Sequence, residues 1–178
     1  PYLNPCDPGR APDPHTNPIN QEQLLEDALL FCAVAPTVLT ELAKAGDVAP
    51  ELVLHLQDWQ TAAISCAMPR ALLYPAIRAY RCALTLHNPY DRCISEYSSV
   101  VAREMALHLG LHHGNVLEQV LAAGPDGQAR VSGPVSTVSE TYASELREHP
   151  LFTRYFAGHL QHGLRERGLV GIDNGIFN

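Results

Sequence analysis

The sequence predicts an all-α protein: an irregular multi-helix bundle with a proline-rich N-terminal arm and an extended C-terminal tail. Two observations carry this. Apolar residues recur at three- and four-residue spacing over several long stretches, and prolines, glycines and polar cap residues punctuate those stretches where helices should start and stop. With 178 residues, 46% of them hydrophobic and 17% charged, the chain suits one domain built on one core. The expected division is an arm at 1–19, a helical domain at 20–168 and a docking tail at 169–178.

Six of the first 19 residues are proline, which removes backbone donors and forbids a regular helix there. The expectation is an extended arm that lies along its own domain or a neighbouring subunit, with Tyr2, Leu3 and Ile19 as the groups it can bury. Asn20 with Gln23 is a reasonable helix start, and Leu24, Leu25, Ala28, Leu29 and Cys32 follow at helical spacing. Pro36 should kink or end this segment, and Gly46 should stop its continuation. A second helix is expected from Pro50, with Leu52, Leu56, Trp59, Ala63 and Ala67 on one stripe. A third is expected from Pro75 to His87, ended by Asn88-Pro89-Tyr90, and a fourth from about Asp91 to His113.

Asn115 and Glu118 can cap a short fifth helix to Ala123. Residues 124–134 read as a loop or short hairpin from their glycines and prolines. Thr137 with Glu140 opens another helix, which His149-Pro150 breaks. Leu151, Phe152, Tyr155, Phe156, His159 and Leu160 form the apolar side of a last one. The glycine-rich ending docks through Val170, Ile172, Ile176 and Phe177.

The net charge of -7 argues against a nucleic-acid-binding face. The five cysteines, at 6, 32, 66, 82 and 93, are odd in number and form no Cys-x-x-Cys pair. Together with the lack of an Asn-x-Ser/Thr acceptor, this predicts buried thiols in a reducing, intracellular compartment. No run of apolar residues approaches the roughly 18 needed to cross a bilayer, so no membrane partner is expected. Neither a P-loop nor a Gly-x-Gly-x-x-Gly after a strand occurs, and there is no Gly-x-Ser-x-Gly elbow.

One cluster stands out: Arg-Glu-Met-Ala-Leu-His-Leu-Gly-Leu-His-His-Gly-Asn at 103–115. On a helical wheel of about 100° per residue, Ile94, Tyr97, Val101, Met105, His108 and His112 share one sector. His113 points away, and Glu104 sits at the edge of the stripe. Two imidazoles four residues apart on a helix can meet at one metal ion, so Glu104, His108 and His112 are the candidate ligands for Zn or Fe, and a single His could hold haem. The motif lacks the general-base carboxylate of His-Glu-x-x-His, and no second Glu-x-x-His helix is present. Ordinary hydrogen-bonded helix histidines are therefore the preferred reading. A second grouping, Cys82, His87 and Cys93, has the wrong spacing for a Zn module, and core packing is preferred for it.

The function expected from these features is a helical protein-protein interaction or assembly module, with a protein partner or self-association and no cofactor. The alternative is a helical metal- or haem-binding enzyme that uses the His108 and His112 pair.

Overall fold

A computed structural model describes residues 21–88, 90–124, 127, 129–149 and 158–173. In chain order its elements are α1 (Gln21–Ala45), β1 (Glu51–Gln57), α2 (Asp58–Ala62), α3 (Ile64–Ala67), a 3-10 helix (Met68–Leu73), β2 (Ala79–Leu86), β3 (Cys93–Ile94), α4 (Val100–His108), β4 (Gly114–Asn115), α5 (Val116–Leu121), β5 (Val135–Thr137), α6 (Glu140–Glu148), α7 (Gln161–Arg167) and β6 (Val170–Gly171). β1, β2, β5 and β6 form one sheet in the order β1-β2-β5-β6, and each neighbouring pair is parallel. A parallel pair needs a crossover of a dozen or more residues, and helices fill each of the three. The protein is α/β, and the all-α expectation is overturned.

The error is concentrated in two stretches. The expected second helix begins instead as β1, in which Leu52, Leu54 and Leu56 turn inward while Glu51, Val53 and His55 face solvent. The expected third helix is β2, whose Cys82, Leu84 and Leu86 are fully buried. Leu52 lies opposite Tyr80, Leu54 opposite Cys82 and Leu56 opposite Leu84, so one shared face of the two strands meets the core. Leu52 and Leu56 are four apart, and residues four apart share a face in a strand as well as in a helix. That spacing could not separate the two, and Leu54, which breaks the helical stripe, was the informative residue.

The fourth expected helix is also shorter. Residues 93–94 pair antiparallel with residues 114–115, and only Val100–His108 is helical. The Ser99 hydroxyl accepts the Ala102 amide at the helix start, and the chain leaves the helix through Leu109 and Gly110, the latter at φ 72°. The buried side of α4 is Ala102 and Ala106, continued by Leu109, whereas Tyr97, Val101 and His108 are exposed.

Elsewhere the punctuation corresponds more closely to the structure. α5 occupies the expected place, and α6 starts one turn after β5, with Ser139 rather than Thr137 accepting the cap bond from Tyr142 N. α1 runs through Pro36 as one helix, and the Thr40 hydroxyl donates to the Pro36 carbonyl at 2.7 Å. By length and composition alone, α1 reaches a mean hydropathy of 1.5 over a membrane-spanning window. Leu25, Leu29 and Cys32 on α1 are buried in the same core as Ala102 and Ala106 of α4, which accounts for part of that apolarity. In the expected tail Leu169 is buried and residues 170–171 form β6, while Val170 and Ile172 are exposed. The arm at 1–19, residues 151–156 of the last expected helix, Ile176 and Phe177 lie outside the described residues.

Candidate active site

In an open parallel sheet the strands all end at one edge, and the crevice beyond those carboxyl ends is where such folds gather ligand-binding groups. Here β1 ends at Gln57, β2 at Leu86 and β5 at Thr137. Polar residues stand at these ends: Asp58 directly after β1, His87 and Asn88 directly after β2, and Ser139 and Glu140 one residue beyond β5, after Val138.

The β1 end is built tightly. The Gln57 amide donates to Thr61 Oγ1 at 2.6 Å, and the same hydroxyl donates to the Gln57 carbonyl at 2.8 Å. This reciprocal pair pins the turn into α2, whose Trp59 and Ala62 are buried, and leaves the Gln57 side chain for other work. Asp58 sits at φ 50°, the one non-glycine residue with positive φ among the described residues. Asp tolerates this region better than most residues because its short polar side chain bonds locally.

The β2 end is tied to it through side chains. Asp58 Oδ1 accepts the His87 amide at 2.8 Å and the Asn88 amide at 3.4 Å. His87 Nε2 lies 2.6 Å from Gln57 Oε1, within hydrogen-bond distance. On the β5 side the Thr137 hydroxyl donates to the Leu86 carbonyl at 2.5 Å. One residue row back, His55 Nε2, Thr85 Oγ1 and Ser136 Oγ form a ladder across three strands, with steps of 2.7 and 2.8 Å. Gln57, Asp58 and Asn88 are half-buried and His87 is exposed, so the group is anchored by the sheet and open to solvent.

Two further contacts fix its surroundings. Behind the loop that follows Asn88, Asp91 is buried and its carboxylate accepts the Arg92 and Leu117 amides at 2.8 and 2.9 Å, with His159 Nε2 at 3.1 Å on its other oxygen. On α6, burial first, and then the charges of Asp58 and Glu145, push the Tyr142 hydroxyl up to about 12. Tyr142 is thus a neutral phenol at ordinary pH and senses the Asp58 carboxylate.

The residues singled out in the sequence lie elsewhere. His108 ends α4 and His112 stands beyond it in a loop, so the two do not share a helical face. Glu104, His108 and His112 are all exposed. His108 Nε2 and the His108 carbonyl both meet the Arg70 guanidinium, an arrangement that caps the end of α4. The His112 backbone is bracketed by Gln119, whose Oε1 accepts its amide at 2.6 Å and whose Nε2 donates to its carbonyl at 3.0 Å. Among the described residues no three His, Cys, Asp or Glu side chains are grouped to hold a metal ion. Of the second grouping, Cys82 is buried in a strand rather than on a helical stripe, His87 belongs to the strand-end site and Cys93 is disulfide-bonded. Cys32, Cys66 and Cys82 are free thiols, so the expectation of thiols throughout fails at Cys93.

Gln57, Asp58 and Asn88 were missed, and His87 was weighed only as a Zn ligand. The signal was present: two apolar runs of period two, each followed directly by a polar pair, Gln57-Asp58 and His87-Asn88. Reading those runs as helices hid it.

A family profile described as the starch synthase catalytic domain matches residues 11–166. Among solved structures, the catalytic domain of starch synthase IV from Arabidopsis thaliana bound to ADP and acarbose is similar, with 21% sequence identity, a TM-score of 0.55 and coverage of 84% of this chain. The chain spans 30% of that structure's length. No curated protein sequence matches it. The profile match and the parallel sheet overturn both functional expectations, the non-catalytic helical interaction module and the helical metal or haem enzyme. The profile covers most of the sequence, including the whole strand-end site, and the chain therefore belongs to the starch synthase catalytic domain family of glycosyltransferases.

Proposed function

We propose that this chain is part of the catalytic unit of a glucosyltransferase, and that its strand-end site holds a glucosyl group through hydrogen bonds to sugar hydroxyls. Family membership and the similar structure solved with ADP and acarbose support the reaction class. The single observation that carries the site is the pairing of Gln57 with His87 at 2.6 Å, held by Asp58 across the ends of two adjacent parallel strands. The amide of Gln57, the imidazole of His87 and the side-chain NH2 of Asn88, whose oxygen already accepts the Tyr90 amide, are hydrogen-bonding groups of the kind that hold sugar hydroxyls. The pyrophosphate of a nucleotide sugar is not assigned to these residues.

In the reaction this reading implies, an acceptor-sugar hydroxyl oxygen forms a bond to C1 of the glucosyl group. The bond from C1 to the nucleoside diphosphate oxygen breaks, the diphosphate leaves with the electron pair, and the hydroxyl proton is released. The contribution of the present site is to orient a sugar ring, which lowers the entropy lost on reaching the reactive geometry.

The test is titration of the 178-residue chain with maltoheptaose and with ADP-glucose, followed by amide NMR. Saturable shifts confined to residues 57–61 and 85–88 are expected, together with their loss in His87→Ala. Shifts elsewhere only, or none at millimolar ligand, would remove this site from the reaction.

A further inference from the structure

Asp58 combines two features that the site reading does not require of it. It holds a left-handed backbone at φ 50°, where a residue with a Cβ is strained, and its carboxylate reaches over to accept the amides of His87 and Asn88. These two amides fall beyond the ladder between the strands. The last registered pair is Gln57 with Thr85, so no carbonyl of β1 is opposite residues 87 and 88. A charge-assisted bond from a carboxylate to a backbone amide is stronger than a neutral one, and one such group serving two successive amides fixes the direction of a turn.

We propose that Asp58 is the positioning residue of the strand-end site: its carboxylate substitutes for the missing β1 backbone and fixes the 87–88 turn, so that the imidazole meets Gln57 and Asn88 Oδ1 accepts the Tyr90 amide at 3.0 Å. The proposal rests on the reading of this site as a sugar site. In this role Asp58 acts through His87 and Asn88. Its strained backbone follows from the task, because the β1 chain must turn sharply at this residue for a short side chain to reach the amides one strand away. The neighbourhood agrees, since the Thr137 hydroxyl at the end of β5 donates to the Leu86 carbonyl, the residue just before these two amides.

The alternative is that Asp58 is only a residue that tolerates a left-handed turn. Two substitutions separate these. Asp58→Asn keeps an acceptor oxygen and tolerates the same backbone, whereas Asp58→Gly relieves the backbone and removes the acceptor. Each variant of the 178-residue chain is compared with the parent by thermal melting, by hydrogen exchange of the His87 and Asn88 amides, and by maltoheptaose affinity. Asp58→Gly is expected to melt at or above the parent temperature, yet to exchange both amides at least about tenfold faster and bind about tenfold more weakly. Asp58→Asn is expected to stay within about threefold of the parent in both measures.

Parent-like exchange of the His87 and Asn88 amides in Asp58→Gly would overturn the proposal. If the parent binds no maltoheptaose but the exchange pattern is as described, the sugar reading fails and the positioning role stands. If the parent binds and the exchange of the two amides ignores Asp58, the positioning role fails and the sugar site stands.

Discussion

Gln57 Oε1 and His87 Nε2 lie 2.6 Å apart, joining the carboxyl ends of two parallel strands whose residues are 30 apart in sequence. The Gln57 backbone is already satisfied by Thr61, so truncating the side chain should release the imidazole without loosening the turn. Gln57→Ala is expected to weaken maltoheptaose binding by about tenfold and to shift the melting temperature by no more than about 3 °C. Calorimetric titration beside thermal melting checks both, and unchanged affinity would separate Gln57 from the site.

The inner face of β2 should carry much of the stability. Leu84 is fully buried and lies opposite Leu56 in the neighbouring strand. Leu84→Ala is expected to cost about 2–5 kcal/mol, the sum of lost transfer energy and the cavity left behind. Urea unfolding measures this, and a cost under about 1 kcal/mol would mean that the strand can collapse around the deletion.

Gly171 is required by the close approach of β6 to the start of α6. A Cβ built there would lie 2.2 Å from the Glu140 backbone nitrogen and Cα, while Glu140 Oε2 accepts the Gly171 amide at 3.2 Å. Gly171→Ala must push the two backbones apart, with an expected cost of at least about 2 kcal/mol. Hydrogen exchange should show β5 protected as before and the Ile172 amide, which donates to the Thr137 carbonyl, exposed.

Alkaline pH should destabilise the protein through its buried acids. Burial pushes the Cys32 and Cys82 thiols up to about 12, burial also raises Cys66 despite the Arg130 guanidinium, and Tyr142 reaches about 12 for the reasons given above. These native-state values are raised, so their contribution is complete below the unfolded values, near 9 for thiols and 10 for tyrosine, and is lost as pH rises toward 12. Cys32, whose thiol is buried and raised to about 12, should lower stability by up to about 1.4 kcal/mol per pH unit inside its window, and the half-buried Tyr142 by less. Urea midpoints between pH 8 and 11 test this, and Cys82→Ala should flatten the slope by one group's share. A midpoint that does not fall across that range would contradict the burial of these acids.

The alternative enzyme reading around Glu104, His108 and His112 shows the limits of pattern alone. Three histidines in six positions attract attention, yet Gly110 ends the helix between His108 and His112 and breaks the spacing on which a shared ligand depends. The residues at the strand ends are common types, Gln, Asp, His and Asn, and acquire meaning only from being brought together.

The sequence by itself determined where the chain changes direction and which residues are apolar. Gly46 ends α1, the stretch from Asn115 forms α5, and His149 closes α6, because caps, glycines and prolines act through their own backbones. Tertiary structure decided that Leu52, Leu54 and Leu56 form a strand. Their register partners at 80–84 are 28 residues away, and a parallel pair has no local turn to announce it. It also decided the site, since Asp58 and His87 become neighbours only once β1 and β2 lie side by side in register.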